Sequence, residues 1–317
     1  MSGGCLQLTA LIVGAGVPER DFSGQIAQIS PHACLIELTD GELLTLVAKA
    51  TGALPCGITL DAAPGFAFPA ALVRTWLAAR GGVLRARDGA FTVDLRGARV
   101  WRSDLGALRI DIAEPSARAA WRAAWVMSRR DGRAGQLRQI GAAPIRGLIA
   151  ATFREDARLA ASAASRLIGL GEGSTPAGDD YLVGYVAGLQ ALAARGDFTG
   201  QFRAALQGMS ARANRVSRLY VAAAARGEIS ERLYTVAAAI AAGAHRDIHA
   251  PLAKALEMGH SSGAAGVLGL LHACAAGHSR ARAYARAEAP SGGSASAWAI
   301  AGCSRHATAR QIAPNSA

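Results

Sequence analysis

"EPSARAAWRAAWVMSRR", residues 114–130, is where the chain changes its period. Trp121, Trp125 and the Met127–Ser128 pair recur at three-to-four spacing with arginines between them, the pattern of an amphipathic helix. Upstream, the short apolar runs "LTALIV", "ACLIEL", "LLTLVA", "FTVDL" and "RVWR" alternate with turn signals such as "TDGE", "APG" and "RDGA", which predicts strands. "FPAALVRTWLAARGG" (68–82) is the exception: Leu72, Trp76 and Leu77 fall at helical spacing before a glycine stop, so a helix is expected there. Downstream, "IRGLIAATFREDARLAASAASRLI" continues the helical pattern, which persists to about Arg286. The fold class expected is α+β: a β-rich N-terminal domain over 1–114, then an α-helical C-terminal domain over 115–288 with Gly-rich loops at helix N-termini. The Ser/Gly/Ala-rich end, 289–317, has no stable period and predicts a disordered tail.

Composition narrows the function classes. At 317 residues the chain is long enough for two domains or one large one. Its formal charge of +11 suggests nucleic acid only at first sight, because nearly all of it is arginine and the only lysines are Lys49 and Lys254. Ten arginines fall between Ser116 and Arg166, against Asp131, Glu155 and Asp156, without interleaved aromatics or a reader module. That stretch reads better as a solvated basic face or a surface for an acidic partner. Five scattered cysteines without a CxxC pair fit a reducing compartment and suggest no zinc site. No basic residue precedes Arg20, the apolar stretches are too short to span a bilayer, and a cytoplasmic protein without a membrane is expected.

Chemistry concentrates in "GLGEGSTPAGDDYLVG", residues 169–184. Gly169, Gly171 and Gly173 free the backbone for positive φ, Ser174 or Thr175 can cap a helix, and Pro176 suits its first turn. Such a helix start can hold an anion through its N–H groups. Asp179 and Asp180 either complement the helix dipole or act on a ligand, holding Mg²⁺ or accepting from a substrate amide; no other cofactor is suggested. Gly184 and Gly188 form a seam that another backbone or a ligand could approach. A P-loop is excluded for want of lysine, and a dinucleotide fingerprint because the preceding segment reads as helix.

A second stretch, "GHSSGAAGVLG" (259–269), resembles the first. With Gly263 set on Gly178, Ala264 and Ala265 fall where Asp179 and Asp180 stand, a pattern of either a diverged repeat or chance. The match of Gly259–Gly263 to G-x-S-x-G lacks the strand a nucleophile elbow needs, so Ser261 is not expected to be a nucleophile. His260 is either a donor to an anion, a general acid, or a capping residue. "HRDIH" (245–249) lacks the glutamate of a metalloprotease, and Pro251 suggests a loop there; "GAGVPE" (14–19) reads as a β-turn.

Three blocks, "GLGEGSTPAGDDYLVGYVAGL", "ANRVSRLYVAAAARGEIS" and "GHSSGAAGVLGLL", resemble the signatures of a bacterial family typified by the AllH-type subunit of oxamate carbamoyltransferase. The resemblance covers 165–272 and is weak in the N-terminal part. Gly171, Gly173, Thr175, Pro176, Gly178, Asp179, Asp180 and Gly184 match, as does Ser217, whereas Asn214 replaces the family's usual threonine. Ala265 stands where the family tends to keep aspartate, implying an incomplete catalytic site or a changed substrate.

The resemblance implies a subunit that works with two others in purine and allantoin nitrogen catabolism. Together they interconvert oxalurate plus phosphate with oxamate plus carbamoyl phosphate. On that expectation Asp179, Asp180 and His260 are the catalytic candidates. Gly171, Gly173, Ser174, Thr175, Gly178, Ser217, Ser261, Ser262 and Gly263 would bind the small anionic substrate. Asp179 and Asp180 double as candidate metal ligands. Two alternatives stay open: a non-catalytic scaffold subunit docking an acidic partner through the 116–166 arginines, and a stand-alone anion- or nucleotide-binding enzyme.

Overall fold

The structure is a computed structural model that describes residues 6–30, 33–63, 65–193 and 196–288. Nine strands come first: β1 (Leu6–Gly14), β2 (Phe22–Ser30), β3 (Ala33–Leu38), β4 (Leu43–Ala48), β5 (Gly57–Leu60), β6 (Trp76–Arg80), β7 (Val83–Ala86), β8 (Phe91–Asp94) and β9 (Arg99–Trp101). Ten helices follow: α1 (Pro115–Asp131), α2 (Gly135–Ile140), α3 (Ala142–Phe153), α4 (Ala157–Ser165), α5 (Ala177–Ala191), α6 (Asp197–Met209), α7 (Arg215–Arg226), α8 (Glu231–Ala241), α9 (His249–Leu256) and α10 (Ser262–Glu288).

The strands run in the order β5-β4-β3-β2-β6-β7-β8-β1-β9, and a further β1–β5 pairing closes eight of them into a barrel. Strand β1 makes the closure possible because it is long and bulged. Its first half pairs with β8, and Ala10–Val13 pair with β5 across a register shift between Ala10 and Ile12. A bulge bends a strand and raises its twist, as a closing sheet requires. Alternate residues fill the interior, among them Ile26, Ile36, Leu46, Ile58, Leu84 and Phe91.

The closed barrel corrects the expected fold class, a merely β-rich N-terminal domain followed by helices with Gly-rich loops at their N-termini: the architecture is a closed eight-stranded barrel followed by a helical region. The helix expected over 68–82 is also corrected, to a short 3-10 turn at Ala70–Leu72 and then β6. Leu72 and Trp76 share a helical interval only by coincidence. In β6 the buried residues are Leu77 and Ala79, at period two, while Trp76 is exposed. Between β2 and β7, an extended segment is the conformation whose backbone groups find partners on both sides. The helix expected to run on through 145–168 is broken between α3 and α4. Glu155 takes a positive φ of 56° there, and Asp156 caps α4 by accepting from Leu159 N at 2.9 Å. Pro251, expected in a loop, lies in the first turn of α9, where proline costs little. The tail expected over 289–317 lies outside the described residues, as do Cys5 and Cys303. Cys34, Cys56 and Cys274 are free and buried. No helix among the described residues is long and apolar enough to cross a membrane.

In the helical region, α5 is enclosed on nearly all sides, which explains why its apolar residues show no stripe. The segment between α7 and α8 then joins the helices to the barrel rim. Trp101 Nε1 donates to Ile229 O at 3.0 Å, Ser103 Oγ donates to Gly227 O at 2.9 Å, and Ala53 N donates to Glu231 Oε2 at 2.9 Å. Trp101→Phe removes the first of these and leaves a buried carbonyl without that donor. The expected loss is about 1–3 kcal/mol of unfolding free energy, measured by urea denaturation.

Candidate functional site

The chain from Arg166 to Pro176 is a loop fastened to the helix it precedes. Gly169 N donates to Asp179 Oδ1 at 2.9 Å, and Gly178 N donates to Leu170 O at 2.8 Å. Asp179 N and Asp180 N both donate to Pro176 O, at 2.9 and 3.2 Å. Gly171 needs to be glycine on two counts: its φ is 115°, and a Cβ there would press on the backbone nitrogen of Ala177. Asp179 is therefore a staple. It is 1% exposed, and burial raises its carboxyl pKa, against the lowering effects of the Gly169 N–H and of the neighbouring Ser217 hydroxyl. Asp179 Oδ2 and Ser217 Oγ lie close without a well-formed hydrogen bond, and neither has another partner. Ser217 is set in place by Asn214, whose side chain caps α7 by accepting from Ser217 N at 2.9 Å. Asparagine is among the residues that serve best at such a cap. Asp179→Ala is expected to cost about 1–3 kcal/mol and to speed amide exchange at Gly169, read by hydrogen exchange.

The second loop is built like the first. Gly263 N donates to Met258 O at 2.9 Å, as Gly178 N does to Leu170 O. A Cβ at Gly263 would strike Ala255 O and crowd Met258 Cβ; one at Gly178 would strike Leu167 O and crowd Leu170 Cβ. The helices that follow cross in the same reciprocal way. A side chain at Gly184 would run into the Gly266 carbonyl, and one at Gly269 into the Tyr181 carbonyl. With Gly263 set on Gly178, Gly269 corresponds to Gly184 and Gly266 to Tyr181, so the pair obeys an approximate twofold. The glycine seam admits a neighbouring backbone, that of α10. The crossing brings the two loops together, and Thr175 Oγ1 and Ser262 Oγ are 3.0 Å apart.

Beside this pair of hydroxyls lies a cavity of about 280 Å³ between the helices and the barrel. Of the candidate residues, Ser174, Thr175, Asp180 and Ser262 line it. Gly171, Gly173, Gly178, Asp179, Ser217, Ser261 and Gly263 are not among its lining residues, and neither is His260, which is exposed in the turn before α10. Asp180 Oδ2 is enclosed and makes no well-formed hydrogen bond. Burial pushes the Asp180 carboxyl up to about 7; Ser262 and, less strongly, Thr175 oppose that rise, and Asp179 adds to it. A carboxyl poised near neutrality can give or take a proton.

The opposite wall could not be read in the sequence. Ala33 and Leu35 of β3 and Thr45 and Val47 of β4 face the cavity, while Cys34, Ile36, Leu44 and Leu46 fill the barrel. Strand β4 is covered on both faces, so its run of buried residues carries no alternation to mark the cavity side. Tyr220 of α7 completes this wall, its hydroxyl 3.2 Å from Thr45 Oγ1.

Residues 167–274 match the family model of oxamate carbamoyltransferase subunit AllH. The AllH-type segment thus begins at the end of α4 and reaches into α10, containing both loops, the glycine crossing and Asp180. No curated protein and no solved structure matches the chain. The barrel wall, including Thr45, lies outside the AllH-type segment. Among the described residues no group of three or more His, Cys, Asp and Glu could hold a metal ion. Within the AllH-type segment Asp179 Oδ1 accepts from Gly169 N, while Asp180 stands by Thr175 and Ser262.

Proposed function

We propose that this chain is a subunit of an oxamate carbamoyltransferase complex that interconverts oxalurate plus phosphate with oxamate plus carbamoyl phosphate, in the breakdown of purine and allantoin nitrogen. The observation that carries the reading is the coincidence of the AllH-type segment with the cavity: both loops and Asp180 lie within residues 167–274. A family described as a subunit implies partner subunits, and two are proposed here. The division into a unit over 1–114 and another over 115–288 belongs to the same proposal, with the substrate held where the two meet. A cytoplasmic location is part of it as well.

The chemistry suits Asp180. Phosphate oxygen attacks the carbamoyl carbon of oxalurate, a C–O bond forms, and the C–N bond to the oxamate nitrogen breaks. The departing nitrogen needs a proton, which the neutral Asp180 carboxyl can supply; in the reverse direction the carboxylate removes it. Thr175 and Ser262 orient that carboxyl, and Ser174 lies at the mouth. Gly171, Gly173, Gly178 and Gly263 shape the loops, Asp179 and Ser217 hold the first loop on its helix, and Ser261 and His260 remain outside the cavity as surface donors to an anion. The test is to purify the tagged chain from its host and assay the recovered complex for phosphate-dependent consumption of oxalurate. Two stoichiometric partners and activity are the expected result; a chain recovered alone and inactive refutes the reading.

Exposed arginines favour one other reading. Arg122, Arg129 and Arg130 of α1 are exposed, as are Arg146, Arg154 and Arg158 on and around α3 and α4, where Phe153 and Leu159 are exposed too. Such a surface suits an acidic partner. If the chain is only a scaffold, arginine substitutions break the complex while Asp180→Asn leaves its activity intact.

A further inference from the structure

The cavity's charge is at odds with the substrate's. Oxalurate, oxamate, phosphate and carbamoyl phosphate are all anions, yet among the described residues lining the cavity none is Lys, Arg or His. Its two ionisable acids are Asp180 and Glu228, the latter paired with Arg226 at 3.4 Å from outside the lining. Leu35, Val47, Leu54, Val183 and Leu233 make most of the remaining surface apolar. The first turn of α5 offers little compensation. The N–H groups of Gly178, Asp179 and Asp180 already donate to Leu170 and Pro176, and that of Gly169 donates to Asp179. An anion placed here would lose its hydration against apolar walls and a carboxyl group, with no cation among the described lining residues to offset the cost.

What the site does offer is the Asp180 carboxyl, whose enclosed Oδ2 makes no well-formed hydrogen bond, beside the Thr175 and Ser262 hydroxyls, 3.0 Å from each other. Those groups complement an amide or urea, which is uncharged and carries both N–H and C=O. We propose that this cavity receives the uncharged carbamoyl end of the substrate, with Asp180 accepting its N–H, and that the cation facing the carboxylate or phosphate comes from another subunit at the mouth, marked by the exposed Ser174 and Gly259. The inference rests on the carbamoyltransferase reading for the identity of the substrate, but the cavity's preference for a neutral acylurea does not. On this account the catalytic site is shared: one subunit supplies the proton-moving acid, and another the positive charge.

The test compares ligands that differ only in charge. Acetylurea is an acylurea like oxalurate but lacks the carboxylate, and its binding to the isolated full-length chain can be followed by saturation-transfer NMR. It is expected to bind, and Asp180→Ala, which removes the acceptor that asparagine would keep, is expected to weaken it roughly tenfold or more, the worth of one hydrogen bond to a strongly polar group. Ser262→Ala gives a second, independent weakening should the first variant fold poorly. Oxalurate is expected to bind the isolated chain poorly and to gain roughly tenfold or more once the partner subunits are added, as one charge-assisted contact allows. Failure of acetylurea to bind the isolated chain overturns the proposal. So does oxalurate or inorganic phosphate binding the isolated chain as tightly as the complex. If the complex consumes no oxalurate while acetylurea still binds in an Asp180-dependent way, the functional reading fails and the cavity's preference stands.

Discussion

If the chain works in the complex proposed above, Asp180→Asn should cut that complex's rate by roughly 10²–10⁴-fold, the usual weight of a positioned general acid or base; whatever its role, the change should make the chain more stable above neutral pH. The two effects share one cause. In the unfolded chain this carboxyl ionises near its ordinary value of 3.8, whereas in the fold burial keeps it protonated up to about 7. Between those values unfolding releases a proton, so stability falls as pH rises through that window and levels off above it. At about 1.4 kcal/mol per pH unit the shift corresponds to a loss of a few kcal/mol. Asparagine cannot ionise, so the variant should match the parent near pH 4 and exceed it by up to that amount at pH 8. Urea unfolding at the two pH values checks the stability arm, and phosphate-dependent turnover checks the rate. In the direction that protonates oxamate nitrogen, the parent's activity should decline above pH 7. A variant that is neither slower nor more stable at pH 8 would show that this carboxyl is an ordinary ionised one.

Gly184→Ala should be the most damaging glycine-to-alanine change among the described residues. The added Cβ would collide with the Gly266 carbonyl, part of a helix backbone that cannot rotate aside as a side chain can. Overpacking that side chains can absorb costs about 1–3 kcal/mol; here the two helices must separate, and the loss should reach or pass the top of that range. Because the crossing sets the distance between Thr175 and Ser262, the variant should also lose activity at temperatures where it remains folded. Gly135→Ala, at the start of α2 where no atom lies within 4 Å of the added methyl, is the control and should be nearly neutral. Thermal melts of the two variants decide the matter.

The sequence spoke most clearly where one physical demand acted alone. The 3.6-residue period of 114–130 marks α1, and "LTALIV", "ACLIEL", "LLTLVA", "FTVDL" and "RVWR" lie in β1, β3, β4, β8 and β9. It was misleading where local pattern and tertiary pairing disagreed, as at 68–82, where two flanking strands impose an extended backbone on residues that happen to show helical spacing. Barrel closure itself depends on β1 meeting β5 nearly fifty residues away, and no local signal records it. At the site, unusual glycine and aspartate chemistry drew attention to the 169–184 loop, but adjacency in sequence could not separate the roles of Asp179 and Asp180. Asp179 turns toward Gly169 and Asp180 toward the cavity. Thr45 and Tyr220 carry no such chemistry and acquire meaning only from the way the helices sit on the barrel.

The reciprocal crossing of α5 and α10 separates two things that usually change together. The spacing of the loops is a property of main chain against main chain, fixed by the absence of side chains at Gly184 and Gly269. The candidate-site carboxyls are side chains about one turn away, with no part in that contact. Ala264 and Ala265 occupy the places of Asp179 and Asp180 in the second half, and the scaffold there is unaltered. Such a frame behaves like a vice with exchangeable jaws: one half can shed its acids, or acquire new ones, without disturbing the grip of the other.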